Sequence, residues 1–241
     1  MPKASIGITR NHQVTYGNQC HLNYCTNRRL VNHRYCQLHK YRLLYRGDAN
    51  QILLRPRAIN FSRKTVKLLV IENQSNPAWN ELIEALHDRW EASRRYVQSE
   101  LDKYYKGGQA QVRGTRKGHE MCADIFQNLG FDQVLEIWAA FQYLQNSSPL
   151  MFASDEAFRH QVIKYLRAQA KSYHSQTIDK RTGKPRSYSS VLYMTERETC
   201  WDILLKTFGA IGLRLDQQLQ KRAERLRANK EKIDRAIRNI N

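Results

Sequence analysis

Cys20 and Cys25 are separated by four residues, Cys36 and His39 by two, and ten residues lie between the pairs. Thiolate and imidazole donors in two such pairs can enclose a tetrahedral Zn²⁺. Four protein ligands leave no position for water, so a site of this kind is structural, not catalytic. The segment around it is too short to build much of a core, and metal binding is expected to be coupled to folding. His21 and His33 are rival ligands that suit the paired spacing less well. Cys122 and Cys200 fall on apolar faces of expected helices and read as core residues.

The chain carries 40 Lys and Arg against 22 Asp and Glu, a net charge of +18. Residues 1–67 hold thirteen of those cations and one acid, Asp48. A merely soluble surface does not need such segregation, and it favours a polyanionic partner through counterion release. Around the cysteines, Arg28, Arg29, Arg34, Lys40, Arg42 and Arg46 are the expected phosphate contacts, interleaved with Tyr35, Tyr41 and Tyr45. The tyrosines either pack under the metal knuckle or stack on exposed bases.

The stretch C-x4-C-x10-C-x2-H, ending RYCQLHKYRLLYRGD, resembles a small zinc-binding module of phage and mobile-element proteins that act on DNA. Some of these are associated with HNH endonucleases. The matching positions are Cys36 and His39, the basic Arg42 and Arg46, and the closing Gly47-Asp48. The resemblance covers about 30 residues and implies a structural zinc ion and a DNA-acting setting. It leaves the remainder of the chain unassigned.

Nothing downstream completes a catalytic constellation. His87, His119, His160 and His174 are scattered and do not form the second histidine-rich hairpin of an HNH nuclease. There is no Walker loop, no G-x-S-x-G and no dinucleotide-binding glycine pattern. Asp124, Asp132 and Glu136 read as a solvated helix face. His119 and His174, near basic loops, read as phosphate contacts at most. A non-enzymatic protein is the expectation.

The elements that must position these residues read as mainly α. A basic zinc module occupies residues 1–60, and a multi-helix body with a long C-terminal helix occupies 61–241. Residues 51–73 read as a connector with a short strand or helix start at 65–71. Asn76-Pro77 opens a helix reaching Tyr105. KGGQAQVRGTRKG (106–118), with four glycines and four cations, reads as a flexible basic loop. Arg113, Arg116 and Lys117 are its candidate phosphate contacts. Helices follow over Met121–Leu129, beyond Gly130, and from Ser154. A second basic turn at 179–190 offers Lys180, Arg181, Lys184 and Arg186. Thr195 with Glu198 suggests a capping box. Beyond Gly209 and Gly212, Leu219, Ala223, Leu226, Lys230, Ile233, Ile237 and Ile240 form a heptad-like seam, packed on the body or in a coiled coil.

No apolar run approaches the ~20 residues of a membrane span, and the first residues lack the apolar stretch of a signal peptide. A cytoplasmic protein is expected, with no membrane partner. The function these features point to is a nucleic-acid-binding accessory protein of a phage or mobile element, its partner DNA or RNA, alone or in a larger nucleoprotein complex. The alternatives are a nuclease with a zinc-stabilised DNA-binding arm and an adaptor docking onto such a complex.

Overall fold

The computed structural model describes residues 18–171, 176–178, 185–187 and 191–238. A loop-rich segment from residue 18 leads into α1 (Gln37–Arg46), followed by α2 (Pro56–Asn73), α3 (Pro77–Tyr105), α4 (Arg113–Asn128) and α5 (Phe131–Ser147). A 3-10 turn at Pro149–Met151 leads to α6 (Asp155–Gln169). Two three-residue strands, β1 (Gln176–Ile178) and β2 (Pro185–Ser187), pair antiparallel with Thr177 opposite Arg186. α7 (Met194–Arg238) ends the described chain. No helix among the described residues is long and apolar enough to cross a membrane.

Local chemistry sets several boundaries. The Asn76 side chain accepts a hydrogen bond from the Ala78 amide at 3.1 Å, and Pro77 follows at the first helical position. Ser154 caps α6 in the same way, with Asp155 and Glu156 facing the positive end of the helix dipole. Gly130 separates α4 from α5.

α5 is the centre of the body. Val134, Leu135, Ile137, Trp138 and Phe141 are all buried, so both sides of this helix are covered. α2, α6 and α7 pack against it, and α3, α4 and α7 pack against one another. Trp138 lies over Trp201 with ring centroids 4.8 Å apart, and Trp90 meets Phe126 edge-on at 4.5 Å. Cys122 and Cys200 are fully buried in this core as free thiols.

Four sequence expectations change. The connector at 51–73 is mostly helix, because Ile59, Val66 and Leu69 form a buried stripe against α5. The two helices expected on either side of Gly209 and Gly212 are one continuous helix. Thr195 lies inside the first turn of α7 and not at its cap, and the Glu196 carboxylate accepts from the Tyr193 amide instead. The basic loop at 106–118 is helical from Arg113 onward.

The last correction has a steric cause. Gly114 and Gly118 share one face of α4, where α7 approaches closely. A Cβ on Gly114 would lie 2.7 Å from the Thr195 Cβ, and one on Gly118 would lie 2.6 Å from the Thr199 Cβ and 2.9 Å from the Glu196 carbonyl oxygen. These glycines serve a helix crossing, where the absence of a side chain lets two backbones meet. Gly118→Ala is expected to lower stability by about 1–3 kcal/mol in denaturant titration through overpacking, although alanine is the better helix former by about 1 kcal/mol. An unchanged or raised midpoint would show that α4 and α7 can separate without cost.

Candidate metal centre and its seat on the body

The ligand residues come from a short ribbon and one helix turn. Gln19 and Arg28 form an antiparallel bridge, with Cys20 N donating to Asn27 O at 3.0 Å and Arg29 N to Asn18 O at 2.9 Å. Cys25 N donates to Leu22 O at 2.8 Å, closing the turn that carries the second thiol. A second turn over Leu30–Arg34 places Asn32 at φ 61°, a left-handed conformation that asparagine tolerates. Cys36 is then the N-cap of α1, and His39 lies in the first turn of that helix.

This arrangement brings one atom from each of Cys20, Cys25, Cys36 and His39 within 4.8 Å of one another. His39 Nδ1 is 3.3 Å from both Cys20 Sγ and Cys36 Sγ, and Cys25 Sγ is 3.9 Å from Cys36 Sγ. All three are free thiols. A tetrahedral ion with bonds of about 2.3 Å to sulfur and 2.0 Å to nitrogen requires S···S edges of about 3.8 Å and S···N edges of about 3.5 Å. These three edges lie within about 0.3 Å of that geometry, and the cluster can hold a metal ion. Its soft donor set fits zinc.

The protonation chemistry points the same way. Burial pushes the His39 pKa down, helped by the nearby Arg42 guanidinium, so the ring is held in the neutral form that binds a metal. Burial acts to raise the Cys20 pKa, but backbone hydrogen bonds at Leu22 and Cys36 outweigh it and the pKa falls below its ordinary value. Desolvation and the adjoining Cys20 and Cys36 sulfurs push Cys25 up. Thiols shifted in opposite directions compete for ionisation, and a bound dication removes that competition.

His33 and His21 are not in the cluster. His33 Nδ1 accepts from the Tyr35 amide at 3.2 Å, and the rings of both histidines lie around Tyr35. Tyr24, which the sequence did not single out, meets the His39 ring edge-on with centroids 5.9 Å apart and donates its hydroxyl to Asn50.

The Gly47-Asp48 pair fastens this unit to α6. Gly47 ends α1 at φ 88°, and a Cβ there would collide with the His160 Cβ and lie 2.9 Å from its Cγ. A side chain is therefore excluded both by conformation and by space. Asp48 accepts from the Asn50 amide at 2.7 Å and from the Ser154 hydroxyl at 2.8 Å, reaching the N-cap of α6. Gln51 is buried; it donates to Met151 O at 3.0 Å and accepts from the Ala153 amide at 2.9 Å. Gln161 donates to Arg46 O, and Lys164 to Tyr45 O, at 3.0 and 2.9 Å.

The candidate phosphate contacts separate by environment. Arg28, Arg29 and Arg34 are exposed on the ribbon, whereas Lys40, Arg42 and Arg46 are half-buried on α1. Arg46 donates to Gln51 O at 3.2 Å and so serves the seat as well. Tyr35 and Tyr45 are half-buried, and exposed Tyr41 stacks on Tyr45 at 4.5 Å.

On α4, Arg113 is exposed, but Arg116 lies over the Tyr104 ring and pairs with Glu120 at 3.3 Å. Lys117 lies 3.8 Å from Glu196. Arg186 is on β2; Lys180, Arg181, Lys184 and His174 lie outside the described residues.

Two further readings are corrected. His119 is buried with its pKa lowered by desolvation, and is not a surface phosphate contact. Glu136 is not on a solvated face but is mostly buried, pairing with Arg63 at 2.6 Å and Lys67 at 3.4 Å. Among the described residues, the metal-holding group is the Cys/His quartet, and Asp124, Asp132 and Glu136 do not form one. Comparison of the chain with protein-family models, curated proteins and solved structures gives no match.

His160 makes the seat sensitive to acid. Burial, followed by the charges of Arg197, Lys164 and Arg167, lowers its pKa to about 4 against the opposing hydrogen bond at Tyr45. Between the ordinary histidine value and 4, the unfolded chain binds a proton that the folded chain refuses, so stability falls as pH falls. From pH 7 to 4.5 this costs about 2.5 kcal/mol. His160→Gln is expected to lose that share of the decline in denaturant titrations across this range. Identical pH profiles for the two proteins would remove His160 from the seat's acid sensitivity.

Proposed function

We propose that the chain is a nucleic-acid-binding accessory protein of a phage or mobile element, with a structural zinc ion held by Cys20, Cys25, Cys36 and His39. The observation that carries this reading is the environment of the metal ligands. The ribbon they close presents Arg28, Arg29 and Arg34 to solvent, and no acid occurs from residue 20 to residue 47. The mobile-element setting rests on the resemblance of the ligand pattern alone.

The ion's contribution is to fold. It fixes two turns and the start of α1, and all four of its positions are taken by protein. Three thiolates around a dication leave a net charge of −1, which the adjacent Arg42 offsets. Recognition then falls to the arginines. Their forked donors suit phosphate oxygens, and such contacts give affinity and register without requiring a particular base sequence. Exposed Tyr41 on Tyr45 offers an aromatic face to an unpaired base.

Purified full-length protein is expected to carry one zinc per chain by elemental analysis, and Cys36→Ser to lose it together with the ordered fold of the ribbon. A folded, metal-free chain with unchanged nucleic-acid affinity would refute the zinc module. Independently, replacing Arg28, Arg29 and Arg34 with glutamine should weaken binding to duplex DNA, single-stranded DNA or RNA, whichever binds. The slope of log K against log salt should fall by about 0.7–0.9 for each phosphate that a replaced arginine had neutralised. An unchanged slope would move the interface away from the ribbon.

A further inference from the structure

α2 carries two apolar stripes. One, formed by Ile59, Val66 and Leu69, is buried against the body. The second lies on the outer face, where Phe61, Leu68 and Ile71 are 65%, 50% and 60% exposed. With Arg57 and Lys64 they recur at steps of four and three residues, the spacing that meets another helix along a seam. A helix apolar on both faces is normally covered on both. The outer stripe continues at its N-terminal end into a cleft of about 670 Å³ whose lining includes Ile52, Leu54, Phe61, Tyr143 and Met151. Exposed apolar side chains at helical spacing beside such a cleft point to an interaction site.

We infer that the outer face of α2 and this cleft bind an acidic amphipathic helix of a partner protein, with one apolar side chain of that helix seated in the cleft. Charge selects the occupant. No acid occurs from residue 49 to residue 71. Arg55, Arg57 and Lys64 are exposed around the stripe, Arg55 and Arg57 lining the cleft itself. Lys67 shares Glu136 yet keeps its side chain 62% exposed.

Apolar residues on the partner helix would match the stripe, and flanking carboxylates would meet the cations. A second copy of this chain brings the same cations against each other, which opposes self-association. A phosphate backbone offers nothing to bury Leu68 or Ile71. A flat bilayer does not fill a cleft, whereas a side-chain anchor does. The inference stands independently of nucleic-acid binding by the ribbon.

The test uses full-length, zinc-replete protein and a fluorescent helical peptide with leucines at heptad a and d positions and glutamates beside them. The controls are a scrambled peptide of the same composition and a version with lysine in place of glutamate. Anisotropy is expected to show binding at least about tenfold tighter than either control. The double substitution Phe61→Ser with Leu68→Asp should abolish that preference while leaving helix content and zinc unchanged, since both side chains are exposed.

No binding, equal binding of the scrambled peptide, or binding indifferent to the double substitution would overturn the inference. So would sedimentation showing a dimer, or anionic phosphatidylglycerol vesicles capturing the chain, if the same substitutions remove that behaviour. Those outcomes would assign the face to a second copy or to a lipid surface.

Discussion

Three thiols and an imidazole lie within 4.8 Å of one another in a segment with almost no apolar core of its own. The thiols cannot all ionise at that distance without a cation among them, and protonated they make only weak hydrogen bonds. The turns at Cys25 and Asn32 and the start of α1 depend on this cluster. A metal ion held there would turn mutual repulsion into attraction and supply the folding free energy that a small hydrophobic interior elsewhere provides. A basic ribbon can then keep its arginines in water instead of burying apolar surface.

Rigidity in the ribbon would be of little use without a fixed attachment, and Gly47, Asp48 and Gln51 provide it. Each answers a different physical demand. Gly47 reverses the chain where His160 leaves no room for a side chain, Asp48 joins its own turn to the cap of α6, and Gln51 bonds three backbone groups. A buried glutamine bonded through both its oxygen and its nitrogen is costly to replace, because truncation leaves those groups without partners. The seat is polar and steric, with little apolar area, so its strength follows the neutral state of His160.

The ligand quartet was legible because its spacing is local: two pairs, each on one turn. The caps at Asn76 and Ser154 were legible for the same reason. Gln51 and His160 were not, since their partners lie about a hundred residues away in the chain and leave no periodic trace. The glycines misled in two opposite ways. Gly114 and Gly118 signalled a loop, yet they allow α7 to cross α4. Gly209 and Gly212 signalled a break, yet a single glycine costs a helix only about 1 kcal/mol, which burial of neighbours such as Leu204, Phe208 and Ile211 offsets. Glu136 signalled solvent because the Arg63 that neutralises it belongs to another helix.

Where the acids sit explains why the charge of the chain is so uneven. Residues 68–241 contain 27 Lys and Arg against 21 acids, and several of those acids pair with cations of the body. Glu136 holds Arg63, Glu156 and Glu198 hold Arg197, Glu120 holds Arg116, and Glu72 holds Arg222 at the end of α2. The first 67 residues have one acid, and it serves the seat. Arg116, Arg197 and Arg222 are thus fasteners of the body, whereas the cations of the ribbon and of the outer face of α2 have no comparable supply of carboxylates. Two basic surfaces of different texture result. The ribbon exposes Arg28, Arg29 and Arg34 on a short stretch that also exposes Tyr24 and Val31, while the α2 face sets Arg57 and Lys64 between Phe61, Leu68 and Ile71. Net charge alone does not separate such surfaces; on α2 the apolar residues recur at helical spacing, and on the ribbon they do not.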